Sequence, residues 1–190
     1  MYLASNALEL WEQTEQDAAQ GQQPPPFWAF PWAGGQALAR YLLDQPGSVR
    51  GRTVLDLAAG SGLVALAAAR AGAAAVTASE TDPLAVAAIG LNYAVNGVQL
   101  RATVGDVLDG GAPEADVVLA GDAFYERAMA ERLVPFLERA RKSGALVLVG
   151  DPGRAYLPRD RFEQVATYQV PVSRLLEDAD VKLTTVWRLP

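Results

Sequence analysis

Residues Val54-Leu55-Asp56-Leu57-Ala58-Ala59-Gly60-Ser61-Gly62 constrain this chain more than any other stretch, because they read as a buried strand running into a glycine turn. Thr53 to Leu57 forms the strand, Ala58 to Gly62 the tight turn, and Leu63 to Arg70 an alanine-rich helix. A strand, turn and helix in that order build a ligand pocket at the carboxyl end of the strand. Gly60 and Gly62 admit a ligand to the backbone where a Cβ would collide. About twenty residues on, Ser79-Glu80 ends the next strand, and the Glu80 carboxylate can accept from two ribose hydroxyls. Asp56, just inside the strand end, either orients the loop or reaches a cationic ligand. The third glycine of a dinucleotide fingerprint is absent, since Ala65 stands in its place, so the expected ligand carries a single adenosine.

Composition narrows the chemistry. The chain has 190 residues, 51% of them hydrophobic, enough for one domain with a full core and little for a second. We expect one domain over residues 1–190, with residues 1–45 a helical and aromatic cap segment and residues 51–190 the core. A net charge of -6 argues against a phosphate-tracking surface, so nucleic acid is not an expected partner. Cysteine and histidine are both absent, which removes thiolate nucleophiles, imidazole bases and the usual zinc ligands together. Chemistry must then use carboxylates, tyrosine, lysine or a cofactor. The longest apolar region, Val54 to Ala78, is broken by Asp56 and Arg70 and is rich in small residues, so it is not read as a membrane span. With no secretory signal before it, a soluble cytoplasmic protein without membrane contact is the expectation.

Along the chain, Ala4 to Ala19 predicts an amphipathic helix, capped by Ser5 or Asn6, and Gln22 to Pro26 an extended link. The aromatic run Phe27-Trp28-Ala29-Phe30-Pro31-Trp32 follows, then a helix over Ala33 to Leu43 and a turn at Pro46-Gly47. Strands are predicted at Thr53 to Leu57, Ala75 to Ser79, Leu100 to Val104, Ala115 to Ala120 and Ala145 to Gly150. Helices at Leu63 to Arg70, Pro83 to Asn96 and Tyr125 to Arg141 separate them, an alternation that predicts an α/β, doubly wound, mostly parallel sheet. Gln164 to Pro171 and Val181 to Leu189 are extended runs too close together for a helical crossover, so they read as an antiparallel C-terminal edge hairpin. Such a seven-stranded, Rossmann-like arrangement resembles the class I S-adenosylmethionine-dependent methyltransferases.

In sheets of this kind ligands sit beyond the carboxyl ends of the strands. Gly105-Asp106-Val107 ends the third strand, and Asp106 either accepts an adenine amino group or serves as a cap or turn aspartate. Gly121-Asp122-Ala123-Phe124-Tyr125 ends the fourth, with Tyr125 one helical turn beyond Asp122 so that both can point into one pocket. Asp122 would orient an ammonium or share its proton, while Tyr125 offers a π face and a hydroxyl; the plainer reading has Asp122 cap the helix and Tyr125 pack. Gly150-Asp151-Pro152-Gly153-Arg154 ends the fifth, placing Asp151 and Arg154 at the rim as substrate contacts or forming an ordinary turn. Phe27, Trp28, Phe30 and Trp32 exceed what one extended segment buries, so some of them should line the site.

These residues together resemble the Asp-x-x-Tyr protein-lysine methyltransferases, here Asp122 to Tyr125. Pro26-Phe27-Trp28-Ala29, the run from Trp32 to Asp44, Gly121 to Tyr125, Gly150 to Arg154 and Thr184-Thr185-Val186-Trp187 narrow the resemblance to the electron transfer flavoprotein β-subunit lysine methyltransferase family, over nearly the whole chain. The resemblance implies S-adenosylmethionine as cofactor, S-adenosylhomocysteine as its product and the flavoprotein subunit as protein substrate; a monomer is the separate expectation. It implies Trp32 beside the methionine portion, Gly60 and Gly62 at the carboxylate and ribose, Glu80 at the ribose hydroxyls, and Asp106 with Val107 at the adenine. Asp56, Ala58, Thr81 and Gly121 complete the expected cofactor set. Asp122 and Tyr125 would hold the target amine, with Phe27, Trp28, Phe124, Asp151 and Arg154 toward the substrate. Two departures stand out: the chain begins close to the Ala4 helix, leaving room for a missing lead-in, and Glu80 stands where aspartate is common. Related sequences labelled nicotinamide N-methyltransferase-like keep a small amine or pyridine substrate as an alternative. A non-catalytic cofactor-binding module is a third reading.

Overall fold

The computed structural model describes residues 1–4, 10, 12 and 26–190. Of the predicted N-terminal helix, Leu10 and Glu12 are helical and Ala4 is not; the rest of it, and the link before Pro26, lie outside the described residues.

Seven strands form one sheet: β1 (Thr53–Leu57), β2 (Ala75–Glu80), β3 (Arg101–Val104), β4 (Val117–Gly121), β5 (Leu146–Asp151), β6 (Glu163–Pro171) and β7 (Val181–Leu189). Their order is β3-β2-β1-β4-β5-β7-β6. The first five are parallel, and β7 runs antiparallel to both neighbours. The predicted hairpin is present, with its second arm against β5 and its first arm at the edge. Burial explains that order: β6 is largely solvent-facing, whereas β4 and β5 are buried on both faces, as parallel central strands require.

Alternate residues of the central strands feed two apolar layers. Val54, Val117, Leu119 and Leu148 face α1 (Ala33–Asp44), α2 (Leu63–Arg70) and α3 (Pro83–Asn96). Leu55, Leu57, Val118, Val147 and Val149 face α4 (Arg127–Lys142) through Leu133, Phe136 and Leu137. Helix α1 is an integral part of the first layer, with Ala33, Ala37, Leu38 and Leu42 fully buried, so this part of the N-terminal segment belongs to the core. Helix α3 is bounded as its sequence demands: Asp82 accepts the Leu84 N–H at 2.7 Å, Pro83 starts the helix, and Gly97 ends it at φ +64°. Helix α4 begins two residues later than predicted, because Glu126 keeps an extended backbone. Tyr125 therefore lies in the loop before the helix rather than one helical turn beyond Asp122.

Candidate active site

The glycine turn leaves β1 through Ala58, an alanine held at φ +48°. Beneath it Asp56 is buried, its Oδ2 accepting the Ala65 N–H at 2.9 Å while Oδ1 has no partner. Burial pushes the Asp56 carboxyl up to about 8. Its position is structural: it steadies the start of α2 and does not line the cavity above. Gly62, at φ +82°, caps α2, and a Cβ there would meet the Tyr93 hydroxyl at 3.0 Å. This glycine makes room for Tyr93 instead of for a ligand.

Glu80, at the end of β2, binds the turn from the other side. Its Oε2 accepts the Gly60 N–H at 2.9 Å and its Oε1 the Thr81 N–H at 2.7 Å. At the end of β3, Asp106 accepts the Leu108 N–H at 3.0 Å and pairs with Arg132 at 2.8 Å. The bond from Arg132 is the main reason its carboxyl is held below the ordinary range. Glu80 and Asp106 thus present carboxylates from adjacent strands to one cavity of about 440 Å³.

The opposite wall carries Asp122 and Tyr125. Asp122 leaves β4 at φ +61° and is buried. Its Oδ2 accepts the Gly34 N–H at 2.7 Å and its Oδ1 the Arg154 Nε–H at 2.6 Å. Burial raises its carboxyl pKa against the pull of these partners. Tyr125 packs against Phe27 with ring centroids 5.5 Å apart and the planes tilted by 38°, and burial raises its phenol pKa as well. Trp32 donates its indole N–H to the Phe27 carbonyl at 2.7 Å, and the Arg154 guanidinium lies 5.7 Å from its ring centroid.

Thirteen of the candidate residues line this cavity: Phe27, Trp28, Trp32, Ala58, Gly60, Glu80, Thr81, Asp106, Val107, Gly121, Asp122, Tyr125 and Arg154. Phe124 does not; it is fully buried in the α4 layer and packs edge-on against Phe162. Asp151 is buried too, its Oδ1 accepting the Gly153 and Arg154 N–H groups at 2.6 and 2.7 Å, so it shapes the turn and stays off the rim. Phe30 is buried against Trp32, behind the wall. The cavity also takes in Leu57, Ser79, Asp82, Gly105, Leu108 and Met129. All but Met129 lie at or just beyond strand ends already marked as ligand-facing, so a wider window there finds them. Met129 projects from the first turn of α4 and carries no such signal.

A mostly parallel sheet of this order, with a glycine-turn cavity at its carboxyl edge, defines the class I methyltransferase fold. Residues 37–150 match the family model described as Ribosomal protein L11 methyltransferase (PrmA). The chain belongs to the electron transfer flavoprotein beta subunit lysine methyltransferase family. It is 40% identical over 171 residues to the protein of that name from Danio rerio, covering 87% of this chain and 66% of that one. It is 38% identical over 168 residues to the one from Xenopus laevis, covering 85% and 68%. The chain thus spans about two thirds of the length of these relatives. A solved structure described as an RNA methyltransferase from Pyrococcus horikoshii superposes with a TM-score of 0.62 at 20% identity, over 93% of this chain and 94% of that one, a likeness of fold alone.

Proposed function

We propose that this chain methylates a lysine side chain of the electron transfer flavoprotein β subunit, using S-adenosylmethionine. The observation that carries the reading is that one cavity joins the Glu80 and Asp106 carboxylates to the Asp122 and Tyr125 wall. Its volume of about 440 Å³ suits a small cofactor plus the end of a side chain. The residues fit the cofactor: Glu80 offers acceptors for ribose hydroxyls, Asp106 an acceptor for an amino group, and Ala58 and Gly60 a backbone without bulk. When bound, S-adenosylmethionine supplies a methyl group on a sulfonium, a leaving group that needs no proton.

The chain's own residues have to deliver a neutral amine. A lysine with an ordinary pKa near 10.4 is charged at neutral pH, and partial desolvation between Phe27, Trp32 and Tyr125 lowers that value. Asp122, held by two hydrogen bonds, orients the arriving ammonium and is one acceptor for its proton, water at the mouth being the other. Burial keeps the Tyr125 phenol neutral, so its oxygen accepts a hydrogen bond from the amine. The net charge of -6 is consistent with a protein substrate instead of nucleic acid, and we assign the chain to the cytoplasm as a monomer.

The test is transfer of labelled methyl from S-adenosylmethionine into an extract of the source organism, split into protein and small-molecule fractions. Label in a protein band that comigrates with the flavoprotein subunit supports the proposal. Label confined to small molecules would replace it with an amine or pyridine methyltransferase.

A further inference from the structure

Glu177 belongs to no motif, yet it is one of the most deeply buried acids in the described structure. It sits on α5 (Arg174–Glu177), the short helix between β6 and β7, at 6% exposure. A carboxylate buried this far is costly unless paired. Its Oε1 accepts Arg154 Nη2–H at 3.0 Å, and its Oε2 lies 2.7 Å from Lys182 Nζ.

Arg154 is held along its whole length. Asp151 fixes its main-chain N–H at 2.7 Å, Asp122 takes Nε–H at 2.6 Å, Glu177 takes Nη2–H, and Trp32 backs the guanidinium. Nε and Nη2 are the two donors on one edge of the guanidinium, the edge that ordinarily clamps both oxygens of a single carboxylate. Here that edge is divided between two carboxylates. Asp122 therefore receives one bond from arginine on Oδ1 and keeps Oδ2 for Gly34.

We infer that Glu177 is a positioning residue: by holding Nη2, it keeps the Arg154 fork from closing on Asp122 and leaves Asp122 free lone pairs for the substrate amine. The inference rests on the proposed role of Asp122 as the amine-facing acid. Without the Glu177 charge, both edge donors turn to Asp122, since the side-on pair is the stronger arrangement. With the Gly34 bond, three of the four acceptor sites of Asp122 are then taken, and the amine is left to compete for the last.

The experiment compares wild type, Glu177→Gln, Arg154→Lys and the double variant for methyl transfer to purified flavoprotein β subunit, with S-adenosylmethionine affinity measured separately. Glu177→Gln is expected to lower kcat about tenfold, the low end for one hydrogen bond to a charged group, with unchanged cofactor affinity. Lysine has no fork, so in the Arg154→Lys background the Glu177→Gln change should cost little, and the double variant should outperform Glu177→Gln alone. A merely structural Glu177 would show no such relief. Should Glu177→Gln fail to fold, Glu177→Asp carries the test through reach instead of charge, because its shorter side chain draws the carboxylate back from Nη2. Unchanged turnover, or a loss that Arg154→Lys does not relieve, overturns the inference. Absence of transfer by the wild type would instead overturn the function on which it rests.

Discussion

The backbone N–H of Gly34 donates to Oδ2 of Asp122 at 2.7 Å, joining the first turn of α1 to the loop after β4 across 88 residues of sequence. An anionic side chain at a helix N-terminus is a favourable partner for the unsatisfied N–H groups there. The approach needs a residue without a side chain, since a Cβ on Gly34 would lie 2.3 Å from the Gly150 carbonyl and 2.7 Å from the Asp122 nitrogen. Gly150 answers it from the other side, where a Cβ would meet the Gly34 carbonyl at 2.1 Å. One wall of the site is therefore the end of a helix pressed against bare strand ends.

Gly34→Ala should destabilise the fold by about 1–3 kcal/mol through overpacking, and should impair methyl transfer as Asp122 is displaced. The neighbouring Gly35→Ala is the control. A Cβ there meets only Val64 Cγ2 at 3.8 Å, and a helical Gly-to-Ala change is expected to gain about 0.5–1 kcal/mol. Urea denaturation of both variants checks the pair, and equal effects would refute the steric account.

Asp122→Asn preserves the shape of the side chain but removes its charge. Turnover should fall about 100-fold or more, the usual range for losing a positioned acid or base, with S-adenosylmethionine affinity unchanged by calorimetry. A matching loss of cofactor affinity would instead make Asp122 a support of the whole cavity.

Asp56 gives a stability prediction with a definite sign. Its folded pKa of about 8 lies above the ordinary aspartate value of 3.8, so between those pH values the folded state holds a proton that the unfolded state has lost. Stability from this group is complete below about pH 4 and declines as pH rises toward 8, at most about 1.4 kcal/mol per unit for one proton. Asp56→Asn should flatten the stability curve between pH 5 and 8 in thermal melts. An unchanged slope would place the titration elsewhere.

Ala58 carries a left-handed backbone at φ +48° in the turn that roofs the cavity. An L-residue there costs roughly 1–2 kcal/mol, a strain that glycine removes while losing part of the gain to its greater freedom when unfolded. Ala58→Gly should therefore raise the urea midpoint slightly and leave the fold intact, whereas Ala58→Val should lower it.

The strands and helices were legible where hydrophobic period and punctuation agree. β1, α2, α3 and β7 fall on their predicted bounds, because glycine, proline and aspartate mark their ends. The site was legible as far as strand ends go, since ligand-facing loops follow from a parallel sheet. Which side chains in those loops turn inward was not. Phe124 and Asp151 lie at or just past strand ends as Asp122 and Arg154 do, but one enters the opposite apolar layer and the other folds back onto its own turn. Glu177 gave no sign at all, because its partners Arg154 and Lys182 are set by the β6–β7 return and by no local pattern.

The central claim is that this cavity delivers a methyl group to a protein lysine, and intact-mass spectrometry of purified electron transfer flavoprotein β subunit tests it most directly. The subunit is incubated with this protein and S-adenosylmethionine, then digested to locate the change. The account predicts mass increments of whole methyl groups, confined to lysine and absent with Asp122→Asn. An unmodified subunit under conditions where the protein binds S-adenosylmethionine, or methyl groups on residues other than lysine, would contradict it.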